Sequence, residues 1–233
     1  MNEFNHKALS NLAGHFLPLS HYLDHTLLNP LATENDILGL CEEAAEYAMR
    51  AVCINPFWTR LAARVLHDTG IEIATVVDFP LGAASTKQRH NQVEEAILEG
   101  TTEIDLVAPL HLIQSENWQA FFEDIATLQK FAGTRARLKV ILEIGIFEKD
   151  KVFKAAHICG QIGVLMVKTS TGMLGARQTE ITDLKDLVKA LEDHPLTGIK
   201  VSGGIRTAAQ AWELIQAGAE RIGTSKAVAL LTE

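Results

Sequence analysis

Short apolar runs alternate with amphipathic stretches along almost the whole chain. The runs fall at residues 21–27, 51–55, 72–79, 103–108, 137–144, 164–168, 198–202 and 221–224. Each is rich in Val, Ile and Leu, as parallel strands buried on both faces should be. The stretches between them carry helix starts: Thr33-Glu34-Asn35-Asp36 opens one, and Ser85-x-x-Gln88 has the form of a capping box before Val93 and Ile97. Thr207 precedes another, with Trp212 and Ile215 on its apolar side. Gly70, Gly100, Gly133, Gly163 and Gly218 stand where helices hand over to strands, a position that favours a left-handed residue. A short helix is also expected in the leader, over residues 4–13.

Strands alternating with helices imply βαβ units and a parallel sheet. Eight such units in 233 residues predict a closed (β/α)8 barrel, with the whole chain 1–233 as one domain and the barrel proper over about 19–230. The rival is an open, doubly wound sheet. No G-x-G-x-x-G follows the first run, which counts against its dinucleotide-binding form.

Hydrophobic residues make up 47% of the chain, enough for the core such a barrel needs. A net charge of −8 argues against a nucleic-acid or anionic-membrane partner, so any phosphate site must be local. Three cysteines without a C-x-x-C pair suit a reducing compartment. With no secretory pattern and no apolar stretch of about 18 residues, a cytoplasmic protein is expected.

Chemistry in a barrel sits where the strands end. The sixth run ends in Lys168, an amine closing an apolar strand and poorly solvated there, which favours the neutral form that imine formation requires. Taken alone, such a lysine more often snorkels to the rim. The seventh run supplies Lys200 in the same situation, and on adjacent strands the two can enter one cavity. Period-two alternation in the fourth run sends Glu103 and Asp105 to one face, and in the fifth it groups Lys139, Ile141 and Glu143. Glu103, Lys139 and Glu143 are expected to form an internal ion network, which leaves Asp105 for proton transfer. Thr171 and Gly172, Gly203 and Gly204, and Gly223 with Ser225 and Lys226 follow the last three runs, where backbone N–H groups can approach a phosphate. Asp24 and Thr26 share a face of the first run and suit a substrate hydroxyl. Cys53, at the end of the second, either lines the pocket or serves as a buried structural thiol. No metal-ligand spacing occurs, so no metal and no cofactor are expected. These residues admit an imine-forming aldolase, a phosphosugar isomerase or synthase using the lysines electrostatically, or a barrel that only binds phosphosugars.

The segments Leu23-Asp24-His25-Thr26-Leu27-Leu28, Val52-Cys53-Ile54-Asn55-Pro56 and Glu103-Ile104-Asp105 resemble the deoxyribose-phosphate aldolase family. So do Val167-Lys168-Thr169-Ser170-Thr171-Gly172 and Lys200-x-Ser202-Gly203-Gly204-Ile205-Arg206-Thr207, and the likeness runs from about Leu23 to Ser225. The resemblance implies metal-independent, reversible cleavage of 2-deoxy-D-ribose 5-phosphate to acetaldehyde and D-glyceraldehyde 3-phosphate. It makes Lys168 the imine-forming amine, Lys200 its modulator and partner in proton movement, and Asp105 the proton donor and acceptor. It places the phosphate on Gly172, Gly203, Gly204 and Ser225, and it suggests a homodimer. The chain departs from the family pattern at Val201, at Lys226, and in the stretch 173–178, which lacks the usual glycine-rich run. These changes bear on phosphate affinity and substrate preference.

Overall fold

All eight apolar runs are parallel strands, and they close on themselves. The computed structural model describes residues 17–175 and 177–233. The leader helix expected over 4–13 lies outside the described residues. The strands are β1 (Leu23–Leu27), β2 (Ala51–Ile54), β3 (Glu72–Val77), β4 (Glu103–Val107), β5 (Arg137–Ile141), β6 (Met166–Lys168), β7 (Gly198–Ser202) and β8 (Arg221–Thr224). Each pairs with the next, and β8 pairs with β1 to complete the barrel. The open doubly wound sheet is thereby excluded.

Helices α1 (Glu34–Glu46), α2 (Thr59–Val65), α3 (Thr86–Leu98), α4 (Leu110–Gln114), α5 (Trp118–Ala132), α6 (Lys149–Ile162), α7 (Ile181–Ala190), α8 (Ala208–Gln216) and α9 (Ala227–Thr232) fill the connections. Thr33, Ser85 and Thr207 each form the reciprocal capping box that their spacing suggests. Gly163 ends α6 with φ 77°, a conformation that costs glycine little.

Six of the runs extend further in sequence than their strands do in space. His21 and Tyr22 belong to a 3₁₀ turn, Leu19–Tyr22, before β1. The third and fifth runs leave the ladder early: Asp78, directly past β3, stands at φ 53°, and Glu143, two residues past β5, at φ 50°. A left-handed residue cannot continue an extended strand, so each strand stops short of it.

Two apolar compartments result. The large one lies between sheet and helices, where Ile104, Leu106, Leu138 and Val140 of the strands and Phe121, Ile125 and Leu128 of α5 are completely buried. Burying side chains of this size stabilises the fold by roughly 1.5–3 kcal/mol apiece. The compartment inside the barrel is small: Cys53, Ala74 and Val76, with Leu28 and Phe79 against them. Charged side chains fill much of the remaining interior.

One buried charge also braces the barrel from outside. Arg89 of α3 is 1% exposed; it reaches Asp78 at 2.8 Å and Asp124 at 2.9 Å, and donates to the Val107 carbonyl at 3.0 Å. Asp78 in turn accepts the Ala83 and Ala84 N–H groups. Arg89→Ala strands two carboxylates and is expected to cost about 3–5 kcal/mol. Urea unfolding measures this, and a loss below about 1 kcal/mol, typical of an exposed pair, would refute the brace.

Candidate active site

Laterally paired residues of a parallel sheet face the same side, so the register identifies the side chains inside the barrel. Around the wall, Glu103 pairs with Arg137, Asp105 with Lys139, and Lys139 with Met166. Ile141 then pairs with Lys168, Lys168 with Lys200, and Lys200 with Arg221. The carboxylates and amines therefore converge on the barrel axis.

Towards the N-terminal ends of the strands, Arg221 meets both oxygens of Glu103 at 3.2 Å and one oxygen of Asp24 at 2.6 Å. Arg137 joins Glu103 at 2.9 Å from the rim. Higher up, Lys139 lies 2.5 Å from Glu103, 3.1 Å from Asp24 and 3.2 Å from Asp105. Lys200 bonds to both Asp24 and Asp105. At the top, Lys168 Nζ and Lys200 Nζ each lie 2.8 Å from the same oxygen of Asp105, Oδ2. The Phe79 ring flanks Lys168, with its centroid 5.9 Å from Nζ. Lys168 and Lys200 are 3% and 1% exposed, so both are nearly sealed from bulk water.

Burial opposes charge on every carboxylate here, and the neighbouring cations overcome it. Burial pushes Asp24 up, but Arg221, Lys139 and Lys200 hold it well below the usual range. Glu103 is brought down to about 2 against burial by Arg221 and Lys139. Asp105 is held far below its ordinary value against burial by Lys139, Lys168 and Lys200. Lys139 and Lys200 are raised, because Asp105 and Asp24 outweigh their desolvation. These carboxyls titrate near 4 in an unfolded chain, so below that pH the unfolded state binds more protons than the folded one. Folding stability is therefore expected to hold above about pH 4.5 and to fall as pH drops from about 4 towards 2. Urea midpoints followed by circular dichroism test this; a midpoint unchanged from pH 4.5 to 2.5 (about the span of these carboxyls) would contradict an ionised network.

One expectation needs correction. Glu143 does not join Glu103 and Lys139, because β5 ends at Ile141 and the chain turns left-handed before its side chain could reach the axis. Instead, Glu143 accepts the Thr171 N–H at 2.9 Å. Gly223 belongs to strand β8, where a Cβ would stand 3.1 Å from Lys200 Cε. Its missing side chain makes room for the lysine.

The other expected residues take varied places. The carboxylate of Asp24 is occupied by Lys139, Lys200 and Arg221, while Thr26 donates its hydroxyl to the Asp24 carbonyl at 2.9 Å. Cys53 Sγ lies 3.8 Å from Asp105 Oδ2, and its thiol is pushed up by burial and by that carboxylate. A cleft of about 230 Å³ opens at the C-terminal ends of β5, β6 and β7. Gly172, Gly203 and Gly204 line it. Thr171 is buried against Glu143; Ser225 and Lys226 are exposed ahead of α9 and outside that lining. Of the altered stretch 173–178, Ala176 lies outside the described residues, and Gly175, Arg177 and Gln178 line the cleft.

Some members escaped the sequence reading. Arg221 could have been found by the alternation that placed Glu103, since it opens β8 two residues before Gly223. Ser170, Arg177, Gln178 and Arg206 also line the cleft, from loops whose side-chain directions follow no period. Ser170 and Ser202 donate their hydroxyls to each other's carbonyls at 2.6 and 2.7 Å, clasping the loop after β6 to the end of β7 just above the lysines. Among the described residues, no cluster of His, Cys, Asp and Glu is placed to hold a metal, and no helix is long and apolar enough to cross a membrane.

The family model for DeoC/LacD family aldolases matches residues 19–227. Deoxyribose-phosphate aldolase 1 of Mesoplasma florum is 38% identical over 92% of this chain and 96% of its own. The deoxyribose-phosphate aldolase of Thermosynechococcus vestitus is 40% identical over 91% and 95%. Among solved structures, the tetrameric deoxyribose phosphate aldolase from Aeropyrum pernix superposes with a TM-score of 0.84, at 31% identity over 92% of this chain and 89% of that one. A barrel whose buried lysine pair shares one carboxylate, matched over nearly its whole length, leaves one assignment: this chain belongs to the DeoC/LacD aldolase family.

Proposed function

We propose that this chain is a class I aldolase that reversibly cleaves 2-deoxy-D-ribose 5-phosphate to acetaldehyde and D-glyceraldehyde 3-phosphate, with Lys168 as the imine-forming amine. The observation that carries this reading is the placement of Lys168 and Lys200 on one oxygen of Asp105, inside the barrel and at its C-terminal face. Asp105, the carboxylate that Lys168 touches, also meets Lys139 at 3.2 Å and Lys200 at 2.8 Å. Asp105 therefore keeps two other partners when the Lys168 amine acts as a nucleophile.

The amine of Lys168 adds to the C1 aldehyde of the open-chain sugar, and loss of water gives an iminium. A base removes the C3 hydroxyl proton; the C2–C3 bond breaks, its electrons forming an enamine, and D-glyceraldehyde 3-phosphate departs. Protonation of the enamine carbon and hydrolysis then release acetaldehyde and the free amine. Asp105, kept ionised by its cations, suits the accepting step, and Lys200, kept protonated by Asp105 and Asp24, suits the donating one. The two thus share the movement of protons, with water as the relay. The phosphate sits on Gly172, Gly203 and Gly204, with Ser225 and Lys226 approaching from the last loop.

The same reading takes 1–233 as one catalytic unit, a cytoplasmic protein that assembles at least as a homodimer; sedimentation measures the assembly. Release of D-glyceraldehyde 3-phosphate from deoxyribose 5-phosphate, followed by a coupled reductase, tests the activity. Equal rates with and without a chelator are expected, and no release at all would defeat the proposal.

A further inference from the structure

We propose that Glu143 determines substrate specificity by accepting a hydrogen bond from the C4 hydroxyl of the sugar phosphate, the group that becomes the C2 hydroxyl of D-glyceraldehyde 3-phosphate. This rests on the aldolase reading above and adds to it a residue that contacts the phosphorylated half. Glu143 is fully buried, yet it lines the cleft beside Gly172, Gly203 and Gly204. One of its oxygens, Oε2, takes the Thr171 N–H at 2.9 Å, while the other, Oε1, is buried with no hydrogen-bond partner. A buried acceptor without a donor is costly, and in a substrate cleft it marks a place for a ligand donor. Its backbone stands at φ 50° and ψ 51°, a conformation that non-glycine residues hold mainly where the surrounding structure demands it.

The chemistry of the substrate selects the donor. In the open-chain sugar, C1 is consumed in the imine and the C3 hydroxyl in bond cleavage. C5 carries the phosphate, whose dianion offers acceptors only. The C4 hydroxyl is then the single donor left between the lysines and the glycine-lined cradle. A carboxylate merely lining that cradle would repel the phosphate; one that binds the neighbouring hydroxyl instead orients it.

The test compares two acceptors in the addition of acetaldehyde: D-glyceraldehyde 3-phosphate, and 3-oxopropyl phosphate, which differs only in lacking the hydroxyl. Wild-type kcat/KM should favour the hydroxylated acceptor by about 10- to 100-fold, the worth of a hydrogen bond to a buried charge. Glu143→Gln keeps an oxygen for the Thr171 N–H and turns an amide to the cleft, so the preference should fall about tenfold. Borohydride trapping of acetaldehyde on Lys168 should be unchanged in this variant, because acetaldehyde carries no hydroxyl. Equal use of both acceptors by the wild type overturns the proposal, a readout that stands even if the variant fails to fold. An unchanged preference in a folded Glu143→Gln overturns it too, as does a loss of trapping without a loss of preference. If the wild type uses neither acceptor, the aldolase reading itself has failed.

Discussion

Lys168→Ala should lose at least about 10⁴-fold in kcat/KM for deoxyribose 5-phosphate cleavage, because the covalent route disappears with its nucleophile. Borohydride added with acetaldehyde should attach a two-carbon group to Lys168 in the wild type and leave the variant unmodified. The variant should remain folded. Asp105 keeps Lys200 at 2.8 Å and Lys139 at 3.2 Å when Lys168 is removed, so no carboxylate is stranded. A folded variant with more than a small residual rate would favour the electrostatic use of these lysines by an isomerase or synthase. An adduct found on Lys200 would transfer the nucleophile's role to the neighbouring strand.

Asp105→Asn is the second large effect, and it acts on chemistry and stability together. The variant keeps the shape of the side chain and removes the acceptor of the C3 proton, which should lower kcat by about 10²–10⁴-fold. It also takes an anion from Lys139, Lys168 and Lys200, all within 3.2 Å of its oxygens. Removing one partner from a buried charge network costs about 3–5 kcal/mol. A readout specific to proton transfer separates the two effects. The wild type should exchange the methyl protons of acetaldehyde for deuterium through the enamine, as nuclear magnetic resonance can follow without an acceptor present. A folded Asp105→Asn that exchanges at the wild-type rate would remove Asp105 from the mechanism, whatever happens to its stability.

The legible and illegible parts of this site divide along physical lines. Glu103 and Lys139 could be turned inward from sequence because both lie within strands, where side chains alternate strictly. The same rule misplaced Glu143, because the strand ends two residues earlier and a left-handed turn intervenes. Nothing in the residue type announces that turn: Asp78 and Glu143 adopt a conformation that sequence reading reserves for glycine. For Gly223 the residue type alone left its surroundings open. A glycine in a strand can serve a ligand or a neighbouring side chain alike, and here the neighbour is Lys200.

Asp24 shows the limit most clearly. Its position on β1 suited a substrate hydroxyl, yet Lys200, 176 residues away in the chain, takes up its carboxylate together with Lys139 and Arg221. The strands, the helix caps, the closed barrel and the lysines at the ends of adjacent strands could all be read from the residues. Those depend on local periodicity, on capping chemistry and on the length of each repeat, all of which act over a few residues. Which carboxylate meets which amine, and which oxygen of Glu143 is left without a donor, depend on how the folded chain brings distant strands together. Barrel closure brings β8 against β1 and sets the depth of each charge along the axis, and at that depth burial decides which charges must be paired.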